Sequence, residues 1–153
     1  LKKGILYWLA TGFGLGLSPF ASGTTGSLPG IGLAAILALV SWQWQLVACL
    51  ILTALAVPLC EWAEDSLGRK DDGRIVADEY LTFPLCLIGV PWVAHPWLLA
   101  VAFVVNRVMD IIKPPPAFQA QELRGGLGIV ADDFITASYS LAVVHAVCWV
   151  ALR

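Results

Sequence analysis

Residues 46–60 read Leu46-Val47-Ala48-Cys49-Leu50-Ile51-Leu52-Thr53-Ala54-Leu55-Ala56-Val57-Pro58-Leu59-Cys60, and Glu61 ends the run. No charged side chain precedes it as far back as Lys3. A second uncharged stretch runs from Tyr80 to Asn106 and a third from Phe134 to Leu152. Apart from Arg153, the charged residues fall into four islands: Lys2–Lys3, Glu61–Glu79, Arg107–Lys113 and Glu122–Asp133. A charge at the centre of a bilayer costs several kcal/mol, so this segregation is expected of a chain whose intervening runs lie in lipid.

Composition agrees. Of 153 residues 59% are hydrophobic and 13% charged, with a mean hydropathy of +0.81; a soluble domain carries about 25% charged residues. Nine Lys and Arg against eleven Asp and Glu leave a net charge of −2, without the basic patch that nucleic-acid binding needs. The chain is too apolar for disorder. Cys49, Cys60, Cys86 and Cys148 form no CxxC pair and lie in or beside apolar runs, as buried or lipid-facing thiols of a reducing compartment do. The length fits one membrane domain over residues 1–153, with no internal repeat or linker.

The first two long runs are each interrupted by a charge-free, Trp-bearing segment, Ser41–Gln45 and Gly89–Trp97. Gly and Pro break helices and Trp favours the membrane interface. Leu28–Cys60 and Leu81–Val105 therefore read as helical hairpins whose tips point away from the islands. The expected fold is an all-α, small polytopic membrane helical bundle with short helical hairpins and charged loops on one face. Arg69, Lys70, Arg74, Arg107, Lys113 and Arg124 make that face the cytoplasmic one by the positive-inside rule. Phe134–Leu152 is long enough to span, leaving Arg153 at the far interface. Gly4–Leu17 and the thirteen residues Leu28–Val40 are short for a crossing, and Gly4–Leu17 reads as interfacial or re-entrant.

The acids come mostly in adjacent pairs: Asp71-Asp72, Asp78-Glu79 and Asp132-Asp133, with Asp110 alone. Adjacent carboxylates suit a hard divalent cation, which takes oxygen ligands; they equally suit hydrated helix N-termini, where the macrodipole favours them. Arg107, Asp110 and Lys113 share one side of a helix that Pro114-Pro115-Pro116 stops. They read either as a salt-bridged stripe or as a phosphate clamp. Ser22-Gly23-Thr24-Thr25-Gly26-Ser27 offers backbone N–H and hydroxyl groups to an anion, although it is no P-loop. Gly125-Gly126-Leu127-Gly128 fits a tight turn. His95 and His145 lie away from the acids and read as structural, which disfavours His-based nucleophilic catalysis. Together the clusters are the inventory for metal-assisted phosphoryl transfer on a lipid headgroup. The rival reading is a small ion transporter or channel subunit, with acids lining a path.

Five ordered motifs extend the inference. They are Gly12–Pro19, Gly23–Leu28, Asp71-Asp72-Gly73-Arg74-Ile75-Val76-Ala77-Asp78-Glu79, Asn106-Arg107-Val108-Met109-Asp110-Ile111-Ile112-Lys113-Pro114 and Gly125–Asp133. By these the chain resembles the phosphatidylglycerophosphatase A family of bacterial membrane phosphatases almost end to end. It departs at Ser22, where the family usually has Pro, and at Asn106, where an aromatic is common. The resemblance implies Mg²⁺, phosphatidylglycerophosphate as lipid substrate, an all-helical fold and a multi-pass place in the bacterial cytoplasmic (inner) membrane with the active site facing the cytoplasm. The expected metal ligands are Asp78, Glu79, Asp110, Asp132 and Asp133, with Asp78 or Asp133 taking the proton of a Mg²⁺-activated water. Arg107 and Lys113 would neutralise phosphoryl oxygens, with Gly23, Thr24, Thr25 and Ser27 adding donors.

Overall fold

A computed structural model describes residues 4–153; the Lys2–Lys3 island lies outside the described residues. The elements are α1 (Ile5–Ala10), a 3₁₀ turn (Leu15–Leu17), α2 (Ser22–Gly26), α3 (Leu28–Leu37), α4 (Trp42–Leu67), α5 (Ala77–Thr82), a second 3₁₀ turn (Phe83–Leu87), α6 (Trp97–Ile112), α7 (Ala117–Ala120) and α8 (Gly126–Ala151). The described residues contain no strand, as the all-α expectation requires.

Among the described residues two helices, α4 and α8, are long and apolar enough to cross a membrane. Each has 26 residues, about 39 Å at ~1.5 Å per residue, against a hydrocarbon core of about 30 Å. Only 22% of either apolar window is buried inside the protein. Their apolar faces therefore look outward, unlike a soluble core helix. Trp44, Leu50, Ile51 and Leu55 on α4, and Trp149 and Val150 on α8, are all exposed.

The expected hairpins are modified in two ways. In the first, the chain turns at residues 38–41, and the Trp-Gln-Trp-Gln segment opens α4 instead of forming the tip. Its descending arm continues past Cys60 to Leu67, where Gly68 closes it in the left-handed conformation. The other arm, α3, has ten residues, about 15 Å and half the hydrocarbon thickness.

The second hairpin has no long first arm. Every residue from Tyr80 to Ile88 is buried, and Pro84 sits in a 3₁₀ turn. Phe83, Cys86 and Leu87 pack with Ala34, Leu98, Ala102 and Val144, so this apolar run is core shared by α3, α6 and α8. Hydropathy reports the exclusion of water and is equally high for lipid-facing and protein-buried segments.

The Trp-rich turns meet at one end. The Gly89 N–H donates to Gln45 Oε1 (3.0 Å), and His145 Nε2 lies 2.9 Å from the Ile88 carbonyl, the structural role expected of that histidine. At the other end, the α4 C-terminus meets the start of α8. Gly126 lies so close to the α4 backbone that a Cβ there would come 2.7 Å from the Glu61 amide nitrogen. Gly125–Gly128 is thus a helix-crossing device as well as a turn. The loop after α1 is pinned by a bond from the Val76 N–H to the Ala10 carbonyl (2.9 Å), which fixes the residues leading into α5.

Candidate active site

Three helix ends and one loop converge at the charged end. The C-terminal turns of α6 carry Arg107 and Asp110, and Lys113 caps the helix in a left-handed conformation (φ 46°) before the proline run. Lys113 Nζ donates to Asp132 Oδ2 and to Gln121 Oε1 (3.2 Å). Asp132 and Asp133 both lie beyond the first turn of α8 and are buried. That placement removes the helix-N-terminus account of the pair, because hydration and the first-turn N–H groups are both lacking.

Asp110, Asp132 and Asp133 each present a carboxylate oxygen within 4.8 Å of the other two. Buried Asp132 Oδ1, Asp133 Oδ2 and Asp78 Oδ1 have no hydrogen-bond partner among the described residues. Orphaned buried oxygens cost free energy unless something positive meets them, and an all-oxygen donor set of this kind fits a hard divalent cation.

Arg107 divides the acids. Its Nη1 donates to Glu79 Oε2 (2.9 Å) and to Ser27 Oγ (3.2 Å), while Nη2 pairs with Asp110 Oδ2 at 2.8 Å. Ser27 Oγ lies 3.0 Å from Glu79 Oε2 and 2.7 Å from the Gly23 carbonyl, and its single proton serves one of them at a time. Gly23 is a glycine for a local reason. A Cβ there would come 2.7 Å from Arg107 Nη2 and still closer to Glu79 Oε1. The loop that sequence suggests as an anion cradle therefore holds the carboxylate of Glu79.

Desolvation pushes the Glu79 carboxyl up to about 7, against the lowering pull of Arg107. Burial, followed by the charge of Glu79, holds Asp78 well above the ordinary carboxylate range. Partial burial pulls the Lys113 ammonium down, but its bond to Asp132 and the charges of Asp132, Asp110 and Asp133 together hold it above the usual value.

Sequence-identified residues thus fall into groups. Asp110, Asp132, Asp133 and Lys113 meet directly, and Arg107 links Asp110 to Glu79, Ser27 and Gly23. Asp78 is buried near them, its charge acting on Asp133. Thr24 is exposed. Thr25 spends its hydroxyl on the carbonyls of Leu15 (3.1 Å) and Ser22 (3.0 Å), so it braces the loop and does not face the acids. Two participants were missed. Asp71 is near enough for its charge to act on Asp78 and Asp132; the pair Asp71-Asp72 signalled it, without separating it from Asp72. Gln121 has no sequence signal beyond its place after the proline run.

Comparison with known proteins adds an independent line. The sequence model of the family described as Phosphatidylglycerophosphatase A matches residues 8–148. The chain is 33% identical over 138 residues to the phosphatidylglycerophosphatase A of Escherichia coli, covering 90% of this chain and 80% of the relative. It is 37% identical to the protein of that name from Haemophilus influenzae, covering 93% and 88%. A putative phosphatidylinositol-3-phosphatase from Bacteroides thetaiotaomicron is 31% identical, covering 93% and 92%. No solved structure matches.

Proposed function

The chain belongs to the phosphatidylglycerophosphatase A family of phosphoric monoester hydrolases, and from that membership and the site geometry we propose that it hydrolyses the terminal phosphomonoester of phosphatidylglycerophosphate. The product is phosphatidylglycerol, which makes the reaction a step of phospholipid biosynthesis. One observation carries the site assignment: Asp110, Asp132 and Asp133 converge, with orphaned buried oxygens, beside Arg107 and Lys113.

Mg²⁺ is the proposed cofactor, held by Asp110, Asp132 and Asp133, with Asp78 and Glu79 adjoining. When bound it supplies Lewis-acid neutralisation of phosphoryl oxygens and a more acidic water. The chain's own groups do the rest. Asp78, an acid whose proton affinity is raised by burial, is the proposed acceptor of the water proton. Arg107 orients Glu79 and Asp110, and its buried Nε, without a partner among the described residues, is the donor left for a phosphoryl oxygen. Lys113 offsets the charge of Asp132 and of the incoming phosphate. Ser27 fixes Glu79 on Arg107.

The outward apolar faces of α4 and α8 support a membrane protein, and the cations beside the acids support a site on the cytoplasmic side of the bacterial inner membrane. The acids gather at one end of the bundle instead of lining a route along it, which favours the hydrolase over an ion path. Phosphate release from phosphatidylglycerophosphate in detergent, with Mg²⁺ and then with EDTA, tests the proposal. Release with Mg²⁺ alone supports it, and no release under either condition refutes it.

A further inference from the structure

Ser22, which precedes Gly23 in α2, lines a second concavity. About 360 Å³ in volume, it is lined by Arg69, Arg74, Asp72, Ser18, Ser22 and Leu17, among others. Asp72 is already committed within it. Its Oδ1 accepts from Arg74 Nε (2.7 Å) and the Arg74 N–H (3.0 Å), and its Oδ2 from Arg74 Nη2 (2.7 Å). Arg74 thus takes both oxygens of the cavity's carboxylate, and Arg69, with no ion pair among the described residues, leaves the cavity an excess of positive charge with two hydroxyls beside it. Leu17 in its wall is exposed, and so is Phe20, three residues along the chain. In a membrane protein such an apolar rim places the cavity at the lipid interface. Ser22 lines it, and Gly23, one peptide step of about 3.8 Å further on, packs against Glu79 and Arg107.

We propose that this cavity is a subsite for the phosphodiester of a glycerophospholipid, so that the enzyme grips its substrate by the diester it keeps as well as by the monoester it removes. The assignment rests on the acidic cluster being the phosphatase centre. In phosphatidylglycerophosphate a three-carbon glycerol joins the two phosphates, which suits two sites separated by one loop. Arg69 is the main reader, because Arg74 is held on Asp72. Binding energy from the non-reacting diester raises kcat/KM, and losing a charged donor to it costs about ten- to a hundredfold.

The test uses the full chain in detergent. Phosphorus NMR follows dihexanoyl phosphatidylglycerol, which carries the diester alone, and in a separate arm inorganic phosphate. Broadening of the phosphatidylglycerol resonance by the wild type, its loss in Arg69→Ala and its partial return in Arg69→Lys are expected. The inorganic phosphate signal should be indifferent to Arg69. In parallel, Arg69→Ala should lower kcat/KM for phosphatidylglycerophosphate at least tenfold. Phosphatidylglycerol binding that is absent from the wild type or unchanged in Arg69→Ala overturns the subsite. Loss of inorganic phosphate binding in Arg69→Ala makes it a free-anion site and overturns the lipid assignment. The binding arm needs no turnover, so a wild type that binds phosphatidylglycerol through Arg69 but hydrolyses nothing refutes the phosphatase reading instead.

Discussion

Replacing Gly23 by Ala tests the centre of the site with a single methyl group. The new Cβ would sit 2.7 Å from Arg107 Nη2, about 0.7 Å inside ordinary van der Waals contact, and closer still to Glu79 Oε1. Neither neighbour yields freely: Arg107 is tied to Glu79, Ser27 and Asp110, and Glu79 to Arg107 and Ser27. The guanidinium must shift by several tenths of an ångström, carrying both acids with it. Misplacement on the order of 1 Å costs about 10²-fold in rate, or about 2.7 kcal/mol of transition-state stabilisation. Gly23 lies in a helical turn without positive φ, so Ala itself favours the backbone by roughly 0.5–1 kcal/mol. The expected variant folds about as well as the wild type and turns over phosphatidylglycerophosphate about a hundredfold more slowly. Gly32→Ala is the control: it lies in α3 with nothing within 4 Å of a Cβ, and it should raise thermal stability slightly without changing turnover. Phosphate release and thermal unfolding of both variants in one detergent provide the readout. Wild-type turnover in Gly23→Ala would refute the reasoning.

The other predictions concern the charges. Asp132→Asn and Asp133→Asn should each lower turnover at least a thousandfold and abolish the thermal stabilisation given by Mg²⁺. In EDTA Asp133→Asn should raise the melting temperature, since it removes an unpaired buried carboxylate, whereas Asp132→Asn, which breaks the ion pair with Lys113, should lower it. A variant that keeps the Mg²⁺ shift removes that residue from the metal set. Lys113→Met leaves Asp132 without its cation and should lower kcat/KM about a hundredfold, with Lys113→Arg in between; equal activity in all three would exclude a role for that charge. The pH dependence follows from Glu79. Its folded value, about 7, lies above the ordinary one, so its contribution to stability is complete below about pH 4.5 and is lost as pH rises through 7. Thermal unfolding in EDTA should show that decline between pH 5 and 8, and Glu79→Gln should flatten it.

Much of this was readable in the chain because charge is absent from the apolar runs of the long helices and from the apolar core. The islands mark the ends of α4, α6 and α8, and the i, i+3 spacing of Arg107 and Asp110 yields their ion pair. The Arg107–Glu79 pair was not readable, because it joins residues 28 apart through the packing of different helices. Nor could Asp71 be told from Asp72: a tight turn gives Asp72 to Arg74 and leaves Asp71 exposed near the acids. The Tyr80–Ile88 segment misled for a more general reason, since a buried apolar run and a lipid-facing one obey the same hydropathy. Only the number of helices packed around it distinguishes them.

The charge balance at the site makes a last prediction about the order of binding. Among the described residues, the cations paired within the set Asp78, Glu79, Asp110, Asp132 and Asp133 are Arg107 and Lys113, so with these acids ionised the carboxylates outnumber the cations by three even before Asp71 is counted. A phosphomonoester near neutral pH carries close to two further negative charges and would enter that field against repulsion. Raised proton affinity at Asp78 and Glu79 relieves part of the excess by keeping protons bound, but a proton held there is one the reaction needs removed. A divalent cation relieves the same excess without occupying the proton acceptor. Substrate affinity should therefore depend on the cation, not turnover alone. Binding of inorganic phosphate to the wild-type chain should be undetectable by phosphorus NMR in EDTA and appear on adding Mg²⁺. Asp133→Asn should lose the Mg²⁺-dependent binding. Equal phosphate binding with and without the cation would show that Arg107 and Lys113 suffice to hold the anion, and that the clustered carboxylates serve another purpose.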